Sequence, residues 1–542
     1  MNRSFLAFLS LVSLCLSGCK PPAPLVPPPE GTPRLVLFLV IDQARADYLT
    51  RFAPYFSGGL ARLLNESVDF RLASHNHAST STAPGHATLA TGVHPSRHGI
   101  IGNSWYDREV GETVYSDEDW SYSPDRAPTR MLATTLGDWI KSAYPPSKVF
   151  AASSKSRSAV LSAGHSADAA FWYEDETGRF ISSDYYFDTA PLWLESFHEN
   201  PLPDRLFGTS WEPLPQVAAA ADALGLEPVN RGITRGQLPR PVGPSTTFPG
   251  ESYYWRFRGE SPFVDQYLGE FAWALIEQEG LGQDTYPDLL ALSFSALDYI
   301  GHSYGPNSPE ALDVLLRLDQ VIGDLLDRLD ERLGLENVVV SLSADHGVAE
   351  IPEHADGRRF WVEERNCLQR ASRALDSRFG PADWLESDLI FDRDVLAELS
   401  IDLAKAEGVL AEAIEACPGV ERVWTAAGLS AGGVADPYGQ LYTRSFHAER
   451  SADLIIQIEA GSIKANIETS HGTPYDYDRY VPWLLRLPSV TPLGVGEAVF
   501  TVDVAPTIAE ILGIASPTGL DGRSRLDLLG DTSPPAATET SD

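Results

Sequence analysis

Apolar residues fall along this chain in two patterns: short uninterrupted runs, and one long stretch at helical spacing. "RLVLFLVID", Arg34 to Asp42, is continuously apolar until it closes on a carboxylate. "DLLALSFSALD", Asp288 to Asp298, and "NVVVSLSADHG", Asn337 to Gly347, have the same form. Runs without polar alternation predict parallel strands buried on both faces. Between the last two, Leu315, Leu318, Ile322, Leu325, Leu326 and Leu329 recur at helical spacing over Pro309 to Glu331. Ser308 is the expected N-cap there, with Pro309 at the first helical position. Strand, helix, strand with a connection of this length predicts a parallel α/β sheet. "KVFAAS", Lys148 to Ser153, reads as a further strand, and "FTVDVAPTIAEILGI" as a closing strand and helix. No internal repeat is visible.

Two regions break this rhythm. Ser158 to Pro287 is crowded with aromatics, "FWY" at 171–173, "YYF" at 185–187 and "YYWRF" at 253–257. It suits either an extra packed layer or a cap over the functional site. Ala349 to Gln457 mixes helical and loop patterns and is expected to be a second insertion. The expectation is one catalytic domain over 34–529 with insertions at about 158–287 and 349–457. The Pro/Ser/Thr-rich tail, 530–542, is expected to be disordered.

Composition adds two constraints. Of 542 residues, 75 are acidic and 41 basic, a net charge of -34. That field repels nucleic acid and anionic lipid, so the cations that hold any anionic substrate must be local. The second constraint comes from the N-terminus. Arg3 precedes an apolar run from Phe5 to Leu16, too short for a stop-transfer helix and suited to a signal segment over 1–18. "LSGC" resembles a bacterial lipobox, which would place lipid on Cys19; an ordinary cleaved signal is the alternative. "KPPAPLVPPPEGTP" follows as a stiff tether, giving an anchor-and-tether segment over 19–33. Lys20 favours the outer membrane by resemblance to sorting signals, so the expected location is periplasmic or surface-exposed in the cell envelope. Two further cysteines, Cys367 and Cys417, either pair or remain separate buried thiols. There is no CxxC and no thiolate metal cluster.

Each apolar strand leads into an acidic residue: Asp42, Asp298 and Asp345. Ligands of open α/β sheets bind at the carboxyl ends of strands, so the three are expected to converge. His302 follows Asp298 by four positions, His346 follows Asp345 directly, and "SHGTPYDYD" offers His471. Three carboxylates and three imidazoles suit zinc or a related divalent ion better than calcium. Six ligands exceed one tetrahedral ion and fit two.

The stretch "STAPGHATLATG", Ser81 to Gly92, is rich in hydroxyls and broken by Pro84 and Gly85. It resembles the nucleophile segment of the alkaline phosphatase superfamily, most closely that of phosphate-insensitive bacterial alkaline phosphatases that use threonine. "TAPGHATLATGVHPSRHGIIGNSWYD", "SSKSRSA", "LDYIGHSYGPNS", "SADHGVA" and "SHGTPYDYDRYVPWLL" extend the resemblance over nearly all of the chain after the tether. The resemblance implies an α/β fold with a mostly parallel central sheet flanked by helices and carrying inserted cap segments. It implies Thr82 as nucleophile at the head of a helix whose N–H groups face phosphate. Asn103, Lys155 and Arg157 would bind phosphoryl oxygens. Asp298, His302 and His471 would hold one zinc; Asp42, Asp345 and His346 would hold a second beside Thr82, itself a ligand. No third, magnesium-like ligand set is evident.

The expected activity is a two-zinc alkaline phosphatase acting on small phosphomonoesters through a phospho-threonine, with a monomer the favoured state. A phosphodiesterase or nucleotide pyrophosphatase of the same superfamily is the nearest alternative, and Lys155-x-Arg157 argues against it. A non-catalytic, anion-binding envelope lipoprotein is more remote. "HPSR", His94 to Arg97, resembles a sulfatase motif but lacks its cysteine. His75, His77, His94 and His98 are expected outside the ligand set, and His86 is expected to orient the nucleophile loop. Ser79, Thr80 and Ser81 carry hydroxyls but lack the offset from Pro84 that Thr82 has.

Overall fold

A computed structural model describes residues 27–226, 238–242 and 249–529, apart from 388, 433, 434 and 489. The expected signal segment 1–18, the lipid site Cys19 and the tail 530–542 lie outside the described residues.

The frame is a nine-stranded sheet. In chain order its strands are β1 (Leu35–Ile41), β2 (Val68–Ser74), β3 (Val149–Ser153), β4 (Ala169–Glu174), β5 (Arg179–Ile181), β6 (Asp288–Phe294), β7 (Val338–Ser343), β8 (Leu484–Arg486) and β9 (Leu493–Phe500). Across the sheet they run β9-β2-β8-β7-β1-β6-β3-β4-β5. The centre, β7-β1-β6-β3-β4, is parallel throughout. Only β8 and β5 run against it. The flanking helices used below are α1 (Thr82–Thr91), α2 (Ser156–Ala163), α3 (Phe263–Glu279), α4 (Ala296–Tyr304), α5 (Pro309–Leu333) and α6 (Val504–Ile511).

β1 shows why its sequence is apolar at every position. Leu35, Leu37, Leu39 and Ile41 enter the core on one face; Val36, Phe38 and Val40 enter the core on the other. A central parallel strand has helices on both faces, so neither parity is wetted. The first core is filled by α3 and α5, the second by α2 and α6. In α5 the Ser308 hydroxyl accepts from Ala311 N–H at 3.2 Å, so the cap forms as the sequence predicts.

The stretch 158–287 is not a single appended segment. Ser158 belongs to α2, and "FWY" at 171–173 lies inside β4 of the central sheet. The other aromatics pack onto that edge. Tyr173 stacks near Phe257, and Phe180 lies on Phe271 with ring centroids 4.3 Å apart. Periodicity missed β4 because a short run of large aromatics carries no parity signal. Within 349–457, the helices Phe360–Phe379 and Leu403–Glu415 and the ribbon Val420–Thr425/Leu454–Ile458 enclose a separate small core. Cys367 and Cys417 join as a disulfide inside it. This unit also touches the frame: Ser445 Oγ accepts from the N–H groups of Ala78 and Ser79, at 2.8 and 3.0 Å, just before α1. Among the described residues no helix is long and apolar enough to cross a membrane.

Asp265, on α3, receives the Ser295 and Ala296 N–H groups at the start of α4, at 3.0 and 3.2 Å. Burial pushes its pKa up to about 7, with the two N–H donors opposing only in part. The folded chain therefore holds this proton more tightly than the unfolded chain, whose aspartate titrates near 3.9. Stability from the group is complete below that value and is lost as pH rises through about 7. Asp265→Asn keeps an acceptor and removes the charge. Its gain in Tm over the parent should grow between about pH 5 and about pH 8; a gain independent of pH would contradict the burial argument.

Candidate active site

The C-terminal ends of β7, β1 and β6 are neighbours, and each strand delivers one carboxylate to that edge. Asp42 follows β1 directly, Asp345 stands just past β7, and Asp298 lies in the first turn of α4, which continues from β6. All three are buried. His302 is one helical turn along α4 from Asp298; His346 follows Asp345; His471 enters from the loop before β8.

Two donor groups result. In the first, His302 Nε2 and His471 Nε2 lie 3.2 and 3.6 Å from Asp298 Oδ1. In the second, Asp42 Oδ1 and Asp345 Oδ2 lie 3.6 and 3.5 Å from His346 Nε2. All three are buried; Asp42 Oδ1 and His346 Nε2 have no hydrogen-bond partner, and the nearest donor to Asp345 Oδ2 is His86 Nδ1 at 3.3 Å. Orphaned buried polar atoms are rare, and these, facing one another, fit a cation better than they fit a dry core. Asp298 also comes within ligand distance of Asp42 and His346, so it borders both groups.

The imidazoles are held for this task. Nδ1 of His302, His346 and His471 donates to the carbonyls of Thr469, Gly347 and Thr80, at 2.9, 2.9 and 2.8 Å. With Nδ1 committed to a carbonyl, each Nε2 is turned to the carboxylates, the arrangement that fixes the tautomer of metal-binding histidines. Burial, then repulsion from His346 and His302, holds the His471 pKa well below the ordinary value, so it is neutral and ligand-ready. His346 is lowered by burial as well. The carboxylates diverge. Burial and then repulsion from Asp345 raise Asp42. For Asp298 burial acts upward, but Lys155 and His302 overcome it and hold the group well below its usual range.

The hydroxyl-rich stretch becomes legible here. Thr82 is the first residue of α1 and is buried, with Lys155 Nζ 3.5 Å from its hydroxyl. Pro84 falls in the first turn, where its missing N–H costs no helical bond. Gly85 allows close approach: a Cβ there would stand 2.1 Å from the Asp345 carbonyl. His86 ties Thr82 O through Nδ1 and Ser293 Oγ through Nε2, both at 2.8 Å, anchoring the helix head to β6. The Thr80 hydroxyl is spent on the Thr473 carbonyl at 2.8 Å.

Lys155 lies at the N-cap of α2 just past β3, its Nζ 2.6 Å from Asp42 Oδ2 and from Asp298 Oδ2, and 3.5 Å from Thr82 Oγ1. Burial opposes its charge, but Asp298 and Asp42 raise its pKa above the ordinary lysine value. Arg157, in the first turn of α2, has no carboxylate partner among the described residues, and its buried Nε has no acceptor. Asn103 Oδ1 accepts from Ala83 N–H at 2.8 Å, which leaves its amide NH2 as a free donor.

His75, His77, His94 and His98 are buried and fall in neither donor group: His75 bonds His77 and the Ala344 carbonyl, Thr88 of α1 links His77 to His98, and the His94 ring meets His77 edge-on. Sequence reasoning missed Gln43, which donates to both Asp298 and Asp345, and Tyr299, whose ring lies 5.0 Å from Lys155 Nζ. Neither carries a pattern; only adjacency to Asp42 and Asp298 points to them.

Known proteins resemble this chain over most of its length. Residues 36–466 match the family described as type I phosphodiesterase / nucleotide pyrophosphatase. The chain is 32% identical over 525 residues to the alkaline phosphatase PhoV of Synechococcus elongatus, covering 93% of this chain and 94% of that one. It is 30% identical over 522 residues to the alkaline phosphatase PafA of Elizabethkingia meningoseptica, covering 92% and 95%. The crystal structure of PafA superposes with a TM-score of 0.83 at 29% identity, covering 92% of this chain and 99% of that one. A solved PafA variant is altered at a threonine, an asparagine, a lysine and an arginine; the first two and the last two are separated as Thr82 and Asn103, and Lys155 and Arg157, are here.

Lys155 is the cation that compensates Asp42 and Asp298. Removing one partner of a buried ion pair costs about 3–5 kcal/mol. Lys155→Met should therefore lower the Tm of chelator-treated protein by several degrees, and saturating divalent metal should recover most of that loss. An equal loss with and without metal would show that Lys155 and the metal do not share these carboxylates.

Proposed function

The chain belongs to the type I phosphodiesterase / nucleotide pyrophosphatase family, within the alkaline phosphatase superfamily, and from that premise we propose that it is a zinc-dependent alkaline phosphatase that hydrolyses small phosphomonoesters through a phospho-threonine at Thr82. The observation that carries this reading is the convergence of two carboxylate–imidazole groups on a helix head where Thr82 Oγ1 and Lys155 Nζ stand 3.5 Å apart. Asp298, His302 and His471 would hold one zinc; Asp42, Asp345 and His346 would hold the other, beside Thr82. Bound there, zinc lowers the pKa of the oxygens it meets and stabilises negative charge on attacking and leaving oxygens.

The chain's own residues do the rest. Thr82 Oγ1 attacks phosphorus while the bond to the leaving alkoxide breaks, and water then cleaves the phospho-threonine. Asn103 offers its free amide to one non-bridging oxygen. Lys155 contributes a point charge and Arg157 a bidentate fork, suited to the extra negative charge of a monoester dianion. The α1 head adds its positive dipole end. His86 holds the Thr82 carbonyl and so the rotation of the helix head. Arg3, the apolar run to Leu16 and Cys19 support an envelope location with a lipid tether.

Chelation should abolish monoesterase activity and zinc should restore it best, with close to two zinc ions per active chain. Thr82→Ala should cut turnover by orders of magnitude with the fold intact, Thr82→Ser should keep part of it, and acid trapping should label Thr82. Label on Ser79 or Ser81 would place the nucleophile elsewhere.

The family match also names diesterases, so the choice between ester classes needs its own measurement. Charge-assisted contacts from Lys155 and Arg157 are worth roughly 1.5–3 kcal/mol each. The double change Lys155→Ala with Arg157→Ala should depress kcat/KM for a monoester by several decades and for a diester far less. An equal fall for both would remove the case for a monoesterase that rests on this pair.

A further inference from the structure

Gln43 is neither a metal ligand nor a phosphate contact in the reading above, yet it bonds to a carboxylate of each donor group. It follows Asp42, is buried, and has a left-handed backbone, φ 69°. A non-glycine residue is disfavoured there, and such strain persists where the surroundings impose it, most often at functional sites. What the conformation yields is specific. The Gln43 backbone N–H donates to Asp345 Oδ1 at 3.1 Å, and its side-chain Nε2 donates to Asp298 Oδ1 at 2.7 Å. One residue thus restrains the carboxylates from β7 and from α4, while its neighbour Asp42 supplies the third.

The surroundings are shaped to receive this side chain. Gly301 lies opposite on α4, and a Cβ there would stand 1.9 Å from Gln43 Oε1. Oε1 itself has no hydrogen-bond partner, so the amide is placed for its donor and not for its acceptor. A carboxylate oxygen has two lone pairs. With one on Asp298 Oδ1 taken by Gln43, the other is left facing His302 and His471, whose Nε2 atoms approach the same oxygen. Lys155 holds the opposite oxygen at 2.6 Å. Without Gln43, only the His302 and His471 contacts oppose rotation of Asp298 toward Lys155.

We propose that Gln43 is a positioning residue whose side chain holds Asp298, beside the backbone N–H it gives Asp345, in the orientation the proposed metal ions require. This rests on the two-zinc reading. It is tested on metal-stripped full-length protein by zinc titration against a chromophoric chelator, with a melting curve for each variant. Gln43→Met keeps the size and removes the donor; it should weaken at least one of the two zinc sites by about tenfold to a hundredfold, the usual effect of losing an outer-shell partner. Gln43→Gly removes the side chain and relieves the left-handed backbone. Its metal-stripped form should melt no lower than wild type while its zinc affinity falls as in Gln43→Met. That split between fold and affinity is what a merely structural glutamine would not produce. If either folded variant takes up both zinc ions within about twofold of wild-type affinity, this inference is wrong and the two-zinc reading stands. If wild type itself takes up no second zinc, the two-zinc reading fails and this inference with it.

Discussion

Three carboxylates buried side by side at one edge of a sheet are the constraint on which the rest of this molecule depends. Asp42, Asp298 and Asp345 each lose their hydration, and each repels the others in a medium that screens poorly. A chain with 34 excess negative charges has no general surplus of cations to offer. Compensation has to be built in locally: Lys155 from the end of β3 supplies charge, and three imidazoles whose Nδ1 atoms are committed to carbonyls turn Nε2 toward the carboxylates. Even so, Asp42 Oδ1 and His346 Nε2 remain without hydrogen bonds. In the proposed reading a divalent ion held there would resolve that imbalance.

The parallel sheet is what makes so costly an arrangement tenable. β7, β1 and β6 are buried on both faces by two large cores, so their ends have little freedom to splay apart under repulsion. Helix α1 is drawn against the same edge, with Gly85 pressed to the Asp345 backbone and His86 tied to Ser293. Charge, helix dipole and hydroxyl are thereby held before any substrate arrives, the preorganisation that electrostatic catalysis requires. The disulfide-bearing unit beyond the frame reaches this region through Ser445, which holds the backbone just ahead of α1.

The same balance explains why a fold shared with diesterases suits monoesters here. Lys155 and Arg157 stand two residues apart just past β3, and in the proposed reading they bring two cations to one phosphate pocket. A dianion gains from both; a monoanion carrying a second organic group gains less and must also find room. In that reading the preference for monoesters comes from the charge beside Thr82 rather than from the metal ligands.

Much of this was legible in the chain itself, because the information was local. Uninterrupted apolar runs closing on Asp42, near Asp298 and at Asp345 specify strands buried on both faces, and the spacing of Ser308, Pro309 and the leucines of α5 specifies a capped helix. The segment around Thr82 is recognisable because hydroxyl, proline, glycine and histidine must stand in a fixed order to head a helix against a crowded backbone. What depended on distance in sequence had to come from the tertiary structure. "FWY" at 171–173 belongs to the sheet because a strand partner exists for it, not because of any period of its own. Cys367 and Cys417 pair because two helices bring them together. Gln43 is ordinary in sequence and gains its role only when Asp298 and Asp345, hundreds of residues downstream, fold back onto its amide and side chain. Patterns encode what neighbouring residues must do; hydrogen bonds between distant segments exist only once packing has brought their partners within reach.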